Sequence, residues 1–200
     1  MTERFPGYDV LAKRDTPSWN DASRRVIDHR LALSDEPRFL TPDEWRLLVA
    51  LCDRIVPQPS DRPRIPVAVL IDRKLQQDQG DGYRQASMPP LRQAWRQGLH
   101  ALNEEARLRF GADFVELAPA RQDTVLELLA QDQARSEAWQ GLGAKAFFKG
   151  RVLSDIGSGY YAFPESWNQI GFGGPASPRG YVRMDFNRRD PWEAVEHRHV

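Results

Sequence analysis

Across residues 41–153, apolar side chains recur at spacings of three and four, the period of an amphipathic helix, and prolines and glycines cut the run into blocks. The most strongly specified block opens at Thr41, whose hydroxyl suits an N-cap, with Pro42 at the first helical position and Glu44 placed to close a capping box. Trp45, Leu48, Val49, Cys52, Ile55 and Val56 then form one apolar stripe, which Pro57 ends. Pro66 opens a second helix, with Val67, Leu70, Ile71 and Leu75 facing one way as far as the loop at Gln79-Gly80-Asp81-Gly82. The third starts at Pro89-Pro90 and runs through Leu91, Trp95, Leu99, Leu102, Ala106 and Phe110 to a stop at Gly111. A fourth, with Gln122, Val125, Leu126, Leu128 and Leu129, begins after Ala118-Pro119, and Ser136 is read as capping a fifth that holds Trp139, Leu142, Ala146, Phe147 and Leu153.

The two ends have a different character. Residues 20–33 place Ala22, Val26, Leu31 and Leu33 near helical spacing, a short arm after an extended leader over 5–19. Beyond Asp155 the helical period is lost, and residues 156–175, rich in glycine and aromatic rings, read as ordered coil. Disordered chain lacks aromatics, so Tyr160, Tyr161, Phe163, Trp167, Phe172 and Tyr181 must be covered by something. The expected fold is all-α: a compact bundle of about five or six amphipathic helices with an extended N-terminal arm and an irregular aromatic and glycine-rich C-terminal segment. The corresponding division is 1–38 for leader and arm, 39–155 for the helical core, and 156–200 for a segment packed on the core or on a partner.

Charge narrows the function. The 200 residues carry 28 Lys plus Arg against 28 Asp plus Glu, a formal net charge of zero, so nucleic acid is not an expected partner. A mean hydropathy of -0.62 and the lack of a long apolar run argue against a membrane span. Cys52 is the single cysteine, which excludes an internal disulfide and a cysteine-built metal site. His29, His100, His197 and His199 are scattered, without the spacing that puts two metal ligands on one helix face. No Gly-x-Ser-x-Gly elbow is present. Gly157-x-Gly159-x-x-Ala162 matches the dinucleotide fingerprint in letters, but no strand precedes it, and Pro164 blocks the helix that should receive the pyrophosphate. Glu104, Glu105, Asp113 and Glu116 are read as solvated carboxylates on polar faces.

The sequence therefore offers interaction chemistry before catalysis. Tyr160, Tyr161, Trp167, Asn168, Ile170, Phe172, Gly173, Gly174, Pro175, Arg179 and Tyr181 form the candidate partner-binding set, because aromatics and arginine are enriched at protein contacts. Trp167 and Phe172 are its expected anchors, removable without unfolding the chain. The rival readings are a stand-alone helical adaptor, or an enzyme with Tyr160, Asn168 and Arg179 around a pocket under the C-terminal segment. The chain shows no cleavable signal: its start is polar, and Arg24-Arg25 is succeeded by Asp28, His29 and Arg30 rather than an apolar run. It is expected to be cytoplasmic as synthesised, and periplasmic only if exported with its partner.

Three segments together carry a family resemblance: Phe39-Leu40-Thr41-Pro42-Asp43-Glu44-Trp45 and the helix after it as far as Pro57, Phe114-Val115-Glu116-Leu117-Ala118-Pro119-Ala120-Arg121-Gln122-Asp123, and Trp167-Asn168-Gln169-Ile170-Gly171-Phe172-Gly173-Gly174-Pro175-Ala176-Ser177-Pro178-Arg179-Gly180-Tyr181. In this order, over residues 39–181, the chain resembles the gluconate 2-dehydrogenase subunit 3 family, also called the small or gamma subunit. The first segment is a generic capped helix; the third is distinctive. The resemblance implies an all-helical, non-catalytic accessory subunit of a bacterial dehydrogenase of sugars or sugar acids. The large partner, of the glucose-methanol-choline type, would carry the FAD, with no cofactor on this chain, and a cytochrome c subunit often completes such complexes. The small subunit would support folding, maturation or export of the flavoprotein. Many members begin with a twin-arginine signal and this chain does not, so the partner brings its own signal, or the complex is cytoplasmic, or the gene starts upstream of Met1.

Overall fold

The computed structural model describes residues 4–82, 86, 88–177, 180 and 193–196, and among these it is all-α, with a single isolated parallel bridge between Trp19 and Ser177. The helices are α1 (Asp21–Leu31), α2 (Pro42–Ile55), α3 (Val67–Gln77), α4 (Leu91–Phe110), α5 (Pro119–Ala130), α6 (Ala144–Phe147), α7 (Ser154–Tyr160) and α8 (Pro164–Ile170). Two compact units emerge: Asp35–Gly159, holding α2 to α6, and a second that joins Met1–Ser34 to Tyr160–Val200.

In the first unit the helix boundaries obey the local chemistry of the chain. The Thr41 hydroxyl accepts from Glu44 N while the Glu44 carboxylate accepts from Thr41 N, the reciprocal capping box expected there. Helix α4 ends at Gly111, left-handed at φ 73°, which satisfies the last turn without a Cβ clash. The buried stripe of α2 is Leu47, Leu48, Leu51 and Cys52, so its centre lies one position off the expected one and leaves Trp45 and Val49 half-buried. Helix α4 packs against α2 and α5, and its Gly98 admits the Phe147 ring so closely that a Cβ there would stand 2.2 Å from Phe147 Cζ. Trp95 meets the same ring edge-on at 5.5 Å.

Buried carboxylates tie this unit together. Asp72, fully buried on α3, accepts from the backbone N–H groups of Arg38, Phe39 and Leu40, at 2.6, 3.1 and 2.9 Å, and so fixes the approach to α2. Glu105 is also fully buried, which corrects the solvated reading: it accepts from Arg109 Nε at 2.8 Å and from the N–H groups of Arg135 and Ser136 at 2.9 and 2.8 Å. Asp155 accepts from Trp95 Nε1 at 2.9 Å and from Lys74 Nζ at 2.8 Å, and Lys74 and Arg151 share Asp81 beyond it.

Two expectations need correction. Ser136 caps only the short 3-10 turn Glu137–Trp139, and Gly143, at φ 76°, breaks the chain before α6 begins. From there α6, a π-helical turn over Phe148–Leu153, and α7 run on without a gap. Their buried positions are Phe147 and Phe148, Arg151 and Val152, Asp155 and Ile156, Gly159 and Tyr160, a strict period of four. An α-helix would drift by about 40° at each such repeat, and the wider π turn takes up the drift. The segment beyond Asp155 is therefore helical, and Gly157 and Gly159 lie inside α7 rather than in a phosphate-binding turn. Helix α8 comes next, with Pro164 in its first turn and Gly171, left-handed at φ 67°, just past its end.

Candidate functional site

The second unit is built by side chains that stitch the leader to the C-terminal segment. Asp9 caps the 3-10 turn Val10–Lys13, and Asn20 caps α1 by accepting from Ser23 N at 2.8 Å. Arg14 grips Asp28 through both guanidinium NH groups, at 2.6 and 2.7 Å. From the other end of the chain, Asn168 Oδ1 accepts from Val10 N at 2.8 Å, Lys13 Nζ donates to Gly173 O, and Tyr8 OH donates to Phe172 O at 3.2 Å. Val10, Trp19, Ile27 and Trp167 form the small core, with Tyr8 and Leu11 packed against it. Gly174, at φ 63°, lies so close to Val10 and the Trp167 ring that a Cβ would meet both within 3.1 Å.

This packing sorts the sequence-predicted interaction residues into inward and outward sets. Trp167 faces inward, 6% exposed, and its indole N–H donates to Tyr161 O at 2.6 Å, so it is a core residue of this unit and not an anchor that can be removed freely. Tyr160 is buried and donates to Gln169 Oε1 at 2.6 Å; Asn168, Gly173 and Pro175 are half-buried, and Gly174 is buried. Tyr161, Ile170 and Phe172 face outward, at 53%, 46% and 43% exposed. Arg179 and Tyr181 lie outside the described residues. Tyr160 and Asn168, two of the residues expected around a pocket, hydrogen-bond within the unit, to Gln169 and to Val10 N.

Phe172 instead borders an open groove of about 510 Å³ whose other side is α1. Buried Ile27 and Trp167 line it, together with the exposed Val26 and the half-buried Pro175 and Arg30. Sequence spacing does not bring out the contribution of α1, because it runs the apolar face through Ala22, Val26, Leu31 and Leu33, whereas Ile27 is the buried residue and Val26 and Leu31 are 51% and 42% exposed. The signal that could have found it is the spacing of Ala22 and Ser23, Val26 and Ile27, and Arg30, one stripe along a helix. Arg30 donates through one NH group to Ala162 O at 2.7 Å, and burial lowers its guanidinium below the ordinary arginine value.

Elsewhere, Cys52 and the arginines of a second cleft are engaged in structure. Burial pushes the Cys52 thiol up to about 12, leaving it protonated and unreactive at neutral pH. A second cleft, about 340 Å³, carries Arg46, Arg96 and Arg107, and each meets a carboxylate: Asp43 at 2.7 Å, Glu44 at 3.8 Å and Asp113 at 2.5 Å. Among the described residues no three His, Cys, Asp or Glu side chains are placed to share a metal ion, and no helix is long and apolar enough to cross a membrane.

A family model described as gluconate 2-dehydrogenase subunit 3 matches residues 42–174. Neither the curated proteins nor the solved structures give a significant match to the chain. The matched stretch starts at the first residue of α2 and ends on Gly174, covering most of the first segment that carried the resemblance, all of the second and the first half of the third, over about two thirds of the chain. On that match the chain belongs to the gluconate 2-dehydrogenase subunit 3 family.

Proposed function

We propose that this chain is a non-catalytic accessory subunit of an FAD-dependent sugar or sugar-acid dehydrogenase, and that it supports folding, cofactor loading or export of the flavoprotein. The FAD belongs to a large partner of the glucose-methanol-choline type, and a cytochrome c subunit can complete the assembly. The observation that carries this reading is the family match ending at Gly174, in a segment that presents Tyr161, Ile170 and Phe172 to solvent. Large exposed apolar side chains gathered in one small unit favour a protein contact over catalysis by the chain itself. The buried ionisable groups support it too, because Asp72, Glu105 and Asp155 are occupied in holding backbone and neighbouring side chains.

Co-expression with a large flavoprotein of this type from the same genome, then affinity capture on this chain, tests the proposal. The expected result is a stoichiometric complex with flavin absorbance, and a large chain that is insoluble or poor in FAD when made alone. A large chain that is fully active alone and absent from the captured material would refute it.

A further inference from the structure

The groove between α1 and residues 172–177 combines two features that a surface without a partner does not need. The first is apolar exposure at its lip, where Val26 and Phe172 are 51% and 43% exposed. The second is the electrostatic state of Arg30. Its neighbours are paired, Arg14 with Asp28 and Arg24 with Asp21, whereas Arg30 has no ion pair among the described residues and spends a single NH group on Ala162 O. Among the described residues no acidic side chain lines the groove, whose remaining polar lining is Asn20, Ser23 and Ser177. A partly desolvated guanidinium without a counter-charge is unfavourable, and its planar fork is matched to a carboxylate.

We propose that this groove receives a short segment of the partner dehydrogenase chain in which an apolar side chain neighbours a carboxylate: the apolar group packs against Val26 and Phe172, and the carboxylate pairs with Arg30. This rests on the accessory-subunit reading and specifies its contact. It also assigns a role to α1, on the opposite end of the chain from the segment with the expected interaction residues. The carboxylate becomes a directed bond rather than a rim charge, because Arg30 is already held in place by Ala162.

The test is the affinity of the wild-type chain and of Val26→Asp, Ser23→Trp, Arg30→Lys and Arg30→Gln for the purified flavoprotein partner, with the melting curve of each variant alongside. Val26→Asp and Ser23→Trp, both at groove-lining positions of α1, should melt as wild type and bind at least about tenfold more weakly. Arg30→Gln should weaken binding and flatten its salt dependence, with Arg30→Lys between the two. Should Arg30→Gln loosen the fold, the first two variants still decide the matter. Wild-type affinity in both would overturn the groove assignment while the accessory reading stands, and no complex with the wild-type chain would overturn both. A dimer of this chain that Val26→Asp dissociates, with partner binding unchanged, would make a second copy the occupant and overturn the proposal.

Discussion

Replacing Glu105 by glutamine should expose how much of the first unit depends on one buried charge. The carboxylate is fully buried, and it accepts from the Arg109 guanidinium, itself largely covered, and from two successive backbone N–H groups where the chain turns after α5. Removing one partner of a buried ion pair costs about 3–5 kcal/mol, and leaving a buried N–H without an acceptor about 1–3 kcal/mol. Glutamine keeps the shape and one oxygen, so the expected loss at pH 7 is about 2–4 kcal/mol, or roughly 4–16 °C in Tm for a chain of this size. The pH dependence supplies a second, independent reading. Burial by itself would raise the Glu105 pKa, but the Ser136 N–H, the Arg109 side chain and the Arg135 N–H outweigh it and hold the carboxyl below its ordinary value. A carboxyl whose folded pKa is depressed stabilises the fold above its unfolded pKa of about 4.3, and that stability is lost as the pH falls through the folded value. The gap in stability between wild type and Glu105→Gln should therefore be full at pH 7 and narrow below about pH 4.3. Urea melts monitored by tryptophan fluorescence at pH 7, 5, 4 and 3 would measure it. A gap that stays constant over this range, or a Tm change below about 1 °C at pH 7, would refute the reasoning.

Gly98→Ala should destabilise the same unit despite the better helix propensity of alanine. The gain of about 1 kcal/mol is outweighed by forcing a Cβ into the Phe147 ring, so a net loss of about 1–3 kcal/mol is expected in a urea titration. In the second unit, Trp167→Ala should lose about 3–5 kcal/mol as a core truncation, whereas Phe172→Ala should lose about 1 kcal/mol or less, a contrast that limited proteolysis of the leader would also report. Equal sensitivity of the two would contradict the inward and outward assignments.

The helices of the first unit were legible because their signals are local. Thr41 with Glu44, Pro119 and Gly111 act within one turn of themselves, and their geometry is as the sequence implies. Where sequence reasoning fails, the determining contact is distant. Asp72 reaches back more than thirty positions to cap the turn at 38–40, and Glu105 reaches ahead by about as much to hold Arg135 and Ser136. Neither carboxylate differs in sequence from a solvated one. The failure after Asp155 has a different cause: a period of four satisfies neither the α-helical nor the strand template, and it becomes interpretable only when a π turn is allowed.

The candidate site divides along the same line. Composition marks the C-terminal segment as candidate interaction material, but its helices have one or two turns, too few to define a face by periodicity. Trp167 and Phe172 are five residues apart and look equivalent as letters, yet one is a core residue that forms the floor of the groove and the other stands exposed at its lip. What separates them is the leader, more than 150 positions away, which supplies Val10 to pack with Trp167 and a backbone N–H for Asn168. The same distance hides the charge. Arg30 is an ordinary arginine on α1 until Ala162 and the apolar lining of the groove deprive it of water without a carboxylate partner among the described residues. A candidate site made by the two ends of a chain is thus read from sequence as a set of residue types, and its polarity, a cation with no ion pair among the described residues beside an apolar slot, exists only once those ends are folded together.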